Sequence, residues 1–226
     1  HMFEESLQLR TSCHGILLPN NVILIAAGIS AKDYKSPIDF LGSCFDQLEA
    51  GLKKIENLTV SVGIGNGYDK ASGIKQSLAE ATEALNCKLL KGHGSVTFFC
   101  EIARASFSYF YPSDGENHLL NYLSLGLEDD LQRSVRELVL QVKNERHVSC
   151  SNVRQIFAHI TGTVIRHVEM CHMNTHDIFR GADVFADLSR KETIDDIGIW
   201  LEDFVVAVLH FKAAHDLDGK RLGSVQ

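Results

Sequence analysis

Residues able to do chemistry are few in this chain, and the sharpest set lies between positions 167 and 176. His167 and Cys171 are four apart, as are His172 and His176, so on a continuous helix each pair would share a face and offer ligands to a metal such as zinc. The two pairs interleave, however, which opposes one convergent site, and 11 histidines in the chain produce such pairs by chance. Partly exposed histidines at a helix end are the expectation, with no metal and no cofactor. A second candidate is the run Gly63-Ile64-Gly65-Asn66-Gly67. Gly63, Gly65 and Gly67 between a strand and a helix could leave backbone N–H groups open to a phosphate. The spacing is not G-x-G-x-x-G, no Lys-Ser or Lys-Thr follows, and the nearest cation is Lys70, so a plain strand-to-helix turn is expected.

The remaining candidates have structural readings. His93, between Gly92 and Gly94, has no recognisable Ser or Cys nucleophile to serve and reads as a turn histidine. Asp195, Asp196, Glu202 and Asp203 resemble paired acids, yet the first two fall in the first turn of an expected helix, as do Glu128, Asp129 and Asp130, where carboxylates favour the helix dipole. Trp200 and Phe204, four apart, read as core packing of an amphipathic helix.

The elements that must position these residues can be read from periodicity. Ile16 to Leu18 and Val22 to Ile25 flank Pro19-Asn20-Asn21 and predict a hairpin. Ser36-Pro37 has the character of an N-cap and first helical residue, and Ile38, Leu41, Phe45, Leu48, Leu52 and Ile55 continue at helical spacing. Leu58 to Ile64 reads as a strand, Ile74, Leu78, Ala81 and Leu85 as a helical stripe ended by Gly92, and Ser95 to Cys100 as a further strand. The predicted order is β-β-α-β-α-β.

After Tyr111-Pro112 only helical faces follow. Leu119, Leu120 and Leu123 are separated at Gly126 from Leu127, Leu131, Val135, Leu138 and Val142. Val153, Ile156, Phe157, Ile160, Val164 and Val168 mark a long helix. Thr193 and Asp196 resemble a capping pair before Ile197, Trp200, Leu201, Phe204, Val205 and Val208. The boundary between the two regions is expected near 101 to 115.

Composition narrows the function classes. The 226 residues are 45% hydrophobic and carry a net charge of −7, which suits a packed protein and supplies no broad positive field for nucleic acid. The apolar runs Gly15 to Ile29 and Ile197 to Phe211 are interrupted by polar residues, so no membrane contact is expected. Six scattered cysteines without a C-x-x-C pair suit reduced thiols and a cytoplasmic location. His1-Met2 reads as a cloning remnant before an internal start, which makes the chain an expected piece of a longer, even membrane-tethered, parent.

The order hairpin, helix, strand LTVSVGIG, helix with Ala81-Thr82-Glu83-Ala84-Leu85-Asn86-Cys87-Lys88-Leu89-Leu90-Lys91-Gly92, strand is similar to the second half of the GGDEF (diguanylate cyclase) fold. The helix resembles a relaxed form of that family's Ala-Asp-x-Ala-Leu-Tyr-x-Ala-Lys-x-x-Gly pattern. The signature hairpin then falls at Leu18-Pro19-Asn20-Asn21-Val22, which keeps only the final hydrophobe. Neutral Asn side chains are weak ligands for the two divalent metals that nucleotidyl condensation requires, so no catalysis is expected. The family's inhibitory-site pair, an Arg and an Asp three apart, is missing because Cys13 follows Arg10.

Degenerate domains of this kind occur in YesN-like AraC-family transcription regulators. Tyr111-Pro112 with Glu116, Leu119-Leu120, Ile178-Phe179, and Thr193 leading to Trp200-Leu201 resemble their middle helical region. The implied class is α+β: a degenerate, truncated GGDEF-like (nucleotidyl cyclase-like) α/β domain at 1–102, an all-α helical domain at 112–215, and a linker or disordered end at 216–226. The implied function is a non-catalytic, homodimerising regulatory region that couples an upstream signal to a helix-turn-helix DNA reader expected beyond Gln226. The alternative is a small-molecule or nucleotide effector-binding domain.

Overall fold

Pro37, with its fixed φ and missing N–H, opens a helix where the Ser36-Pro37 signal predicts one, and that helix belongs to the first of two units. The computed structural model describes residues 12–18, 22–28, 37–56, 59–104, 109–145 and 148–223. Contacts divide the chain into one unit of His1–Lys88 with His93–Arg104, and another of Leu89–Gly92 with Ala105–Gln226. The chain is mostly helical with small sheets, an α+β composition.

In the first unit, β1 (Ser12–Leu18) and β2 (Val22–Gly28) pair antiparallel from Leu18↔Val22 to Ser12↔Gly28. The hairpin is therefore as predicted, with longer strands. Pro19, Asn20 and Asn21 lie outside the described residues, as does Ser36. Helix α1 (Pro37–Glu56) is 20 residues long and buries Cys44. Strand β3 (Val62–Ile64) pairs parallel with β4 (Val96–Phe98) in the register Val62↔Val96 to Ile64↔Phe98. Parallel neighbours need a crossover, and a 3₁₀ turn at Ala71–Gly73 followed by α2 (Ile74–Asn86) provides it.

Two strand predictions are shortened. Of the reading Leu58 to Ile64, Leu58 lies outside the described residues and the rest yields only Val62–Ile64, and Ser95 to Cys100 yields only Val96–Phe98, after which the chain turns directly into α4 (Phe99–Arg104). Each ladder can extend only as far as its partner, and Gly65 already leaves β3 at the next residue. Between α2 and β4, the chain breaks at Cys87, resumes as α3 (Lys88–Lys91), and ends at Gly92, whose φ of 85° favours glycine. Among the described residues no ladder joins the two strand pairs.

The second unit is helical. α5 (Ser113–Leu125) ends at Gly126 in the left-handed region with φ 76°, and α6 (Glu128–Asn144) follows. α7 (Cys150–Met170) begins where the Ser149 hydroxyl accepts from the Asn152 N–H at 3.1 Å. α8 (Thr175–Phe179) and α9 (Val184–Ser189) are short and capped by Asn174 and Asp183. α10 (Ile194–Gly223) begins with a reciprocal capping box: Asp196 N–H donates to Thr193 Oγ1 at 3.1 Å, and Thr193 N–H to Asp196 Oδ2 at 3.0 Å.

The predicted apolar faces meet in one core. Val153, Ile156, Phe157, Ile160, Val164 and Val168 of α7 are all buried, with Leu131, Val135, Leu138 and Val142 of α6 and Ile197, Leu201, Val205 and Val208 of α10. Leu89 of α3 joins the same cluster. Leu127 is exposed because it precedes α6 rather than lying on its inner face.

Helices α6 and α10 run antiparallel. A hydrogen bond between His210 Nε2 and Glu128 Oε2 at 2.9 Å and the ion pairs Arg136–Glu202 at 3.0 Å and Lys143–Asp195 at 2.8 Å follow one register along them. Gly198 permits the approach, since a Cβ there would stand 3.1 Å from Val139 Cγ2. The helix continues through Gly223, where the polar sequence from Asp216 reads as a linker. Leu, Lys and Arg in that stretch are good helix formers, and propensity sustains the helix after its apolar periodicity has ended. No described helix is long and apolar enough to cross a membrane.

Candidate functional site

The four metal-ligand candidates do not share a helix. α7 stops at Met170, Cys171 caps it, and His172 takes a positive φ of 58°. His172 and His176 therefore do not form the i, i+4 pair that a continuous helix would give. His167 Nε2 lies 4.0 Å from Cys171 Sγ and 3.5 Å from the Ser124 hydroxyl. Burial, with the Lys212 ammonium nearby, lowers the His167 pKa and favours the neutral ring. Lys212 Nζ donates to the Ser124 carbonyl oxygen at 2.8 Å, near the end of α5, where a cation complements the helix dipole. Among the described residues no three His, Cys, Asp or Glu side chains converge to hold a metal.

The glycine-rich run serves helix packing. A Cβ on Gly63 would overlap the Ala81 carbonyl oxygen and the Leu85 backbone, and one on Gly65 would overlap the Ser77 carbonyl oxygen. β3 and its exit therefore lie against the backbone of α2. Gly67 has open space around its Cα. The line of α2 facing the strand is Ser77, Ala81 and Leu85, while Ile74, read from the sequence as the start of the inward stripe, is 55% exposed.

An anion already meets the turn, supplied by the protein itself. The buried Glu80 carboxylate accepts from Asn66 N–H at 2.8 Å, from the Tyr68 hydroxyl at 2.5 Å and from Gln76 Nε2 at 3.3 Å. Burial alone would raise the Glu80 pKa, but these hydrogen bonds outweigh it and hold the pKa below the ordinary glutamate range. The same bond to Glu80 raises the pKa of Tyr68. Sequence reasoning passed over Glu80, whose signal is an acid among the inward positions of α2, beside buried Ala84.

His93 is exposed in a turn between Gly92 and Gly94, both at positive φ. Several of the acidic candidates have structural partners: Asp196 closes the capping box, Asp195, Glu202 and Asp130 form ion pairs, and Glu128 is hydrogen-bonded to His210.

Near the Tyr111-Pro112 boundary, the Tyr111 hydroxyl is 2.7 Å from His159 Nδ1, which stands 3.6 Å from Glu116 Oε1. Burial and the Glu116 carboxylate push the Tyr111 pKa far up, so the phenol stays protonated at neutral pH. The cluster ties the start of α5 to α7.

Aromatic packing reaches the surface on α10. Phe204 is buried and stacks between Phe179, at 5.0 Å, and Trp200, at 5.2 Å, each with an interplanar angle of 14°. Trp200 is half-buried and borders an open cleft of about 340 Å³ between α10 and the loop after α9. The i, i+4 spacing thus serves both core and cleft, where the sequence suggests core alone. The chain matches no protein-family model, no curated protein and no solved structure.

Proposed function

We propose that this chain is the non-catalytic regulatory region of a YesN-like AraC-type transcription regulator. In this reading a degenerate GGDEF-like domain precedes a helical domain, and together they dimerise and relay a cytoplasmic signal to a helix-turn-helix reader beyond Gln226. The observation that carries the reading is the parallel β3–α2–β4 crossover, which occurs at the run bearing the Ala81 to Gly92 pattern and follows the hairpin and α1. The structural engagement of Glu80, Asp195, Asp196 and Glu202 supports a role without acid–base chemistry.

The deciding experiment reads the parent gene past the codon for Gln226 for on the order of a hundred codons, the length of a further domain. Two basic helix-turn-helix units are expected. A stop codon or a catalytic domain would overturn the proposal. Magnesium-dependent consumption of GTP by the purified chain would overturn its non-catalytic part.

A further inference from the structure

We propose that Tyr111, Glu116 and His159 form a proton-operated latch, in which a protonated His159 holds the chain entering the helical unit, and the start of α5, against α7. The cluster lies wholly within that unit, so its test is separate from that of the regulatory reading. The segment it holds is the one by which the chain passes from the first unit into the second.

Glu116 carries the argument. Its side chain is 13% exposed, its Oε1 is buried without a hydrogen-bond partner, and among the described residues no lysine or arginine pairs with it. An ionised carboxylate is costly to keep in such surroundings unless a donor or a cation compensates it. His159 Nδ1, 3.6 Å from Oε1, is placed to supply both.

The groups around the imidazole fix what its proton can do. Tyr111 faces it from the entry segment, with the hydroxyl 2.7 Å from Nδ1 and the rings edge to face at 5.1 Å, and Glu116 faces it from α5. Tyr109 is 80% exposed and acts on Tyr111. On α7 itself, Arg166 donates to Thr163 Oγ1 at 3.2 Å, and that hydroxyl donates to the His159 carbonyl oxygen at 3.1 Å. Phe110 N–H donates to Asn152 Oδ1 at 3.2 Å, so the entry segment meets α7 at two points, of which only the second can change charge. A neutral imidazole carries its hydrogen on one nitrogen, so Nδ1 donates in one tautomer alone and without charge. The protonated ring always donates at Nδ1, to the phenol oxygen or to Oε1. The phenol, which keeps its hydrogen, then turns it to the carboxylate. Charge and hydrogen bonds are satisfied together.

The test is a double-mutant cycle of Glu116→Gln and His159→Asn in the full chain, by urea unfolding followed with the fluorescence of Trp200, the chain's one tryptophan. At about pH 5.5, where imidazole is ordinarily charged and carboxylates remain ionised, the two residues are expected to be coupled about twofold to fivefold in the unfolding equilibrium constant, the range for a partly exposed pair. At about pH 8 the coupling is expected to fall below about 1.5-fold. A proton bound more tightly by the folded chain stabilises it at low pH, and that stabilisation is lost as pH rises. The His159 side chain is 60% exposed, so His159→Asn is expected to keep the wild-type circular dichroism. Where Glu116→Gln fails to fold, Glu116→Asp replaces it in the cycle, since it withdraws the carboxylate from reach. Coupling that is equal at the two pH values, larger at the higher one, or below about 1.5-fold at both would overturn the proposal.

Discussion

The two units hold themselves together by different means. The helical unit buries a continuous set of aliphatic side chains, including Leu131, Val135, Phe157, Ile160, Ile197 and Leu201, all fully buried. The described part of the first unit relies more on backbone approach: Gly63 and Gly65 admit the backbone of α2, and Glu80 ties the loop after β3 to the same helix. Apolar burial grows with each side chain placed on a stripe and tolerates small errors, because many contacts share the load. Backbone approach tolerates almost none, because a single Cβ at the wrong glycine collides with atoms that cannot rotate away.

The contrast is broken most directly in the helical core. Phe157→Ala should destabilise that unit by about 3–5 kcal/mol, the range for a buried ring replaced by a cavity. Urea unfolding followed by Trp200 fluorescence would measure it, and a loss under about 1 kcal/mol would show that the core does not carry the unit as described.

Next in size is Gly63→Ala. Adding one methyl group should cost about 1–3 kcal/mol through forced displacement of α2. Circular dichroism should record the loss, while the Trp200 midpoint is expected to stay in place. A wild-type melting curve in this variant would remove the close approach as a stabilising feature.

Glu80→Ala sharpens the comparison because its effect depends on pH. Removing the carboxylate strands the donors of Asn66 and Tyr68 and should cost about 1–3 kcal/mol at neutral pH. A group whose folded pKa is lowered contributes stability above its unfolded pKa and loses it as pH falls through the folded value. The gap between wild type and variant should therefore narrow below the ordinary glutamate range. A gap that stays constant or widens on acidification would show that Glu80 acts by packing rather than as a hydrogen-bonded anion.

The smallest expected effect is Thr193→Ala at the capping box of α10, about 1 kcal/mol and seen in thermal unfolding of the helical unit. Thr193→Ser should restore most of it, since the hydroxyl is what accepts the Asp196 N–H. Failure of serine to restore it would assign the effect to the buried threonine methyl.

Legibility in the sequence followed the range of the interaction. The hairpin, the Pro37 start of α1, the Gly126 break, the α7 stripe and the Thr193–Asp196 box depend on residues within a few positions of one another, and all were readable. Glu80 reaches the loop at Asn66, 14 residues away, and the His167–Ser124 contact spans 43 residues. No periodic pattern encodes such pairs. The strand lengths were overestimated for a related reason, since β-propensity marks a segment able to pair whereas the partner sets how much of it does.

Local chemistry, then, determined which segments are helical, where they are capped and which face of each is apolar, because those depend on dihedral preference and spacing along one element. Only the tertiary structure decided that Glu80 occupies the glycine-rich turn, that α6 and α10 align two ion pairs and a His210–Glu128 hydrogen bond, and that Trp200 borders a cleft. Each of those requires two distant segments at one distance and orientation, which packing of the whole unit imposes and no single segment specifies.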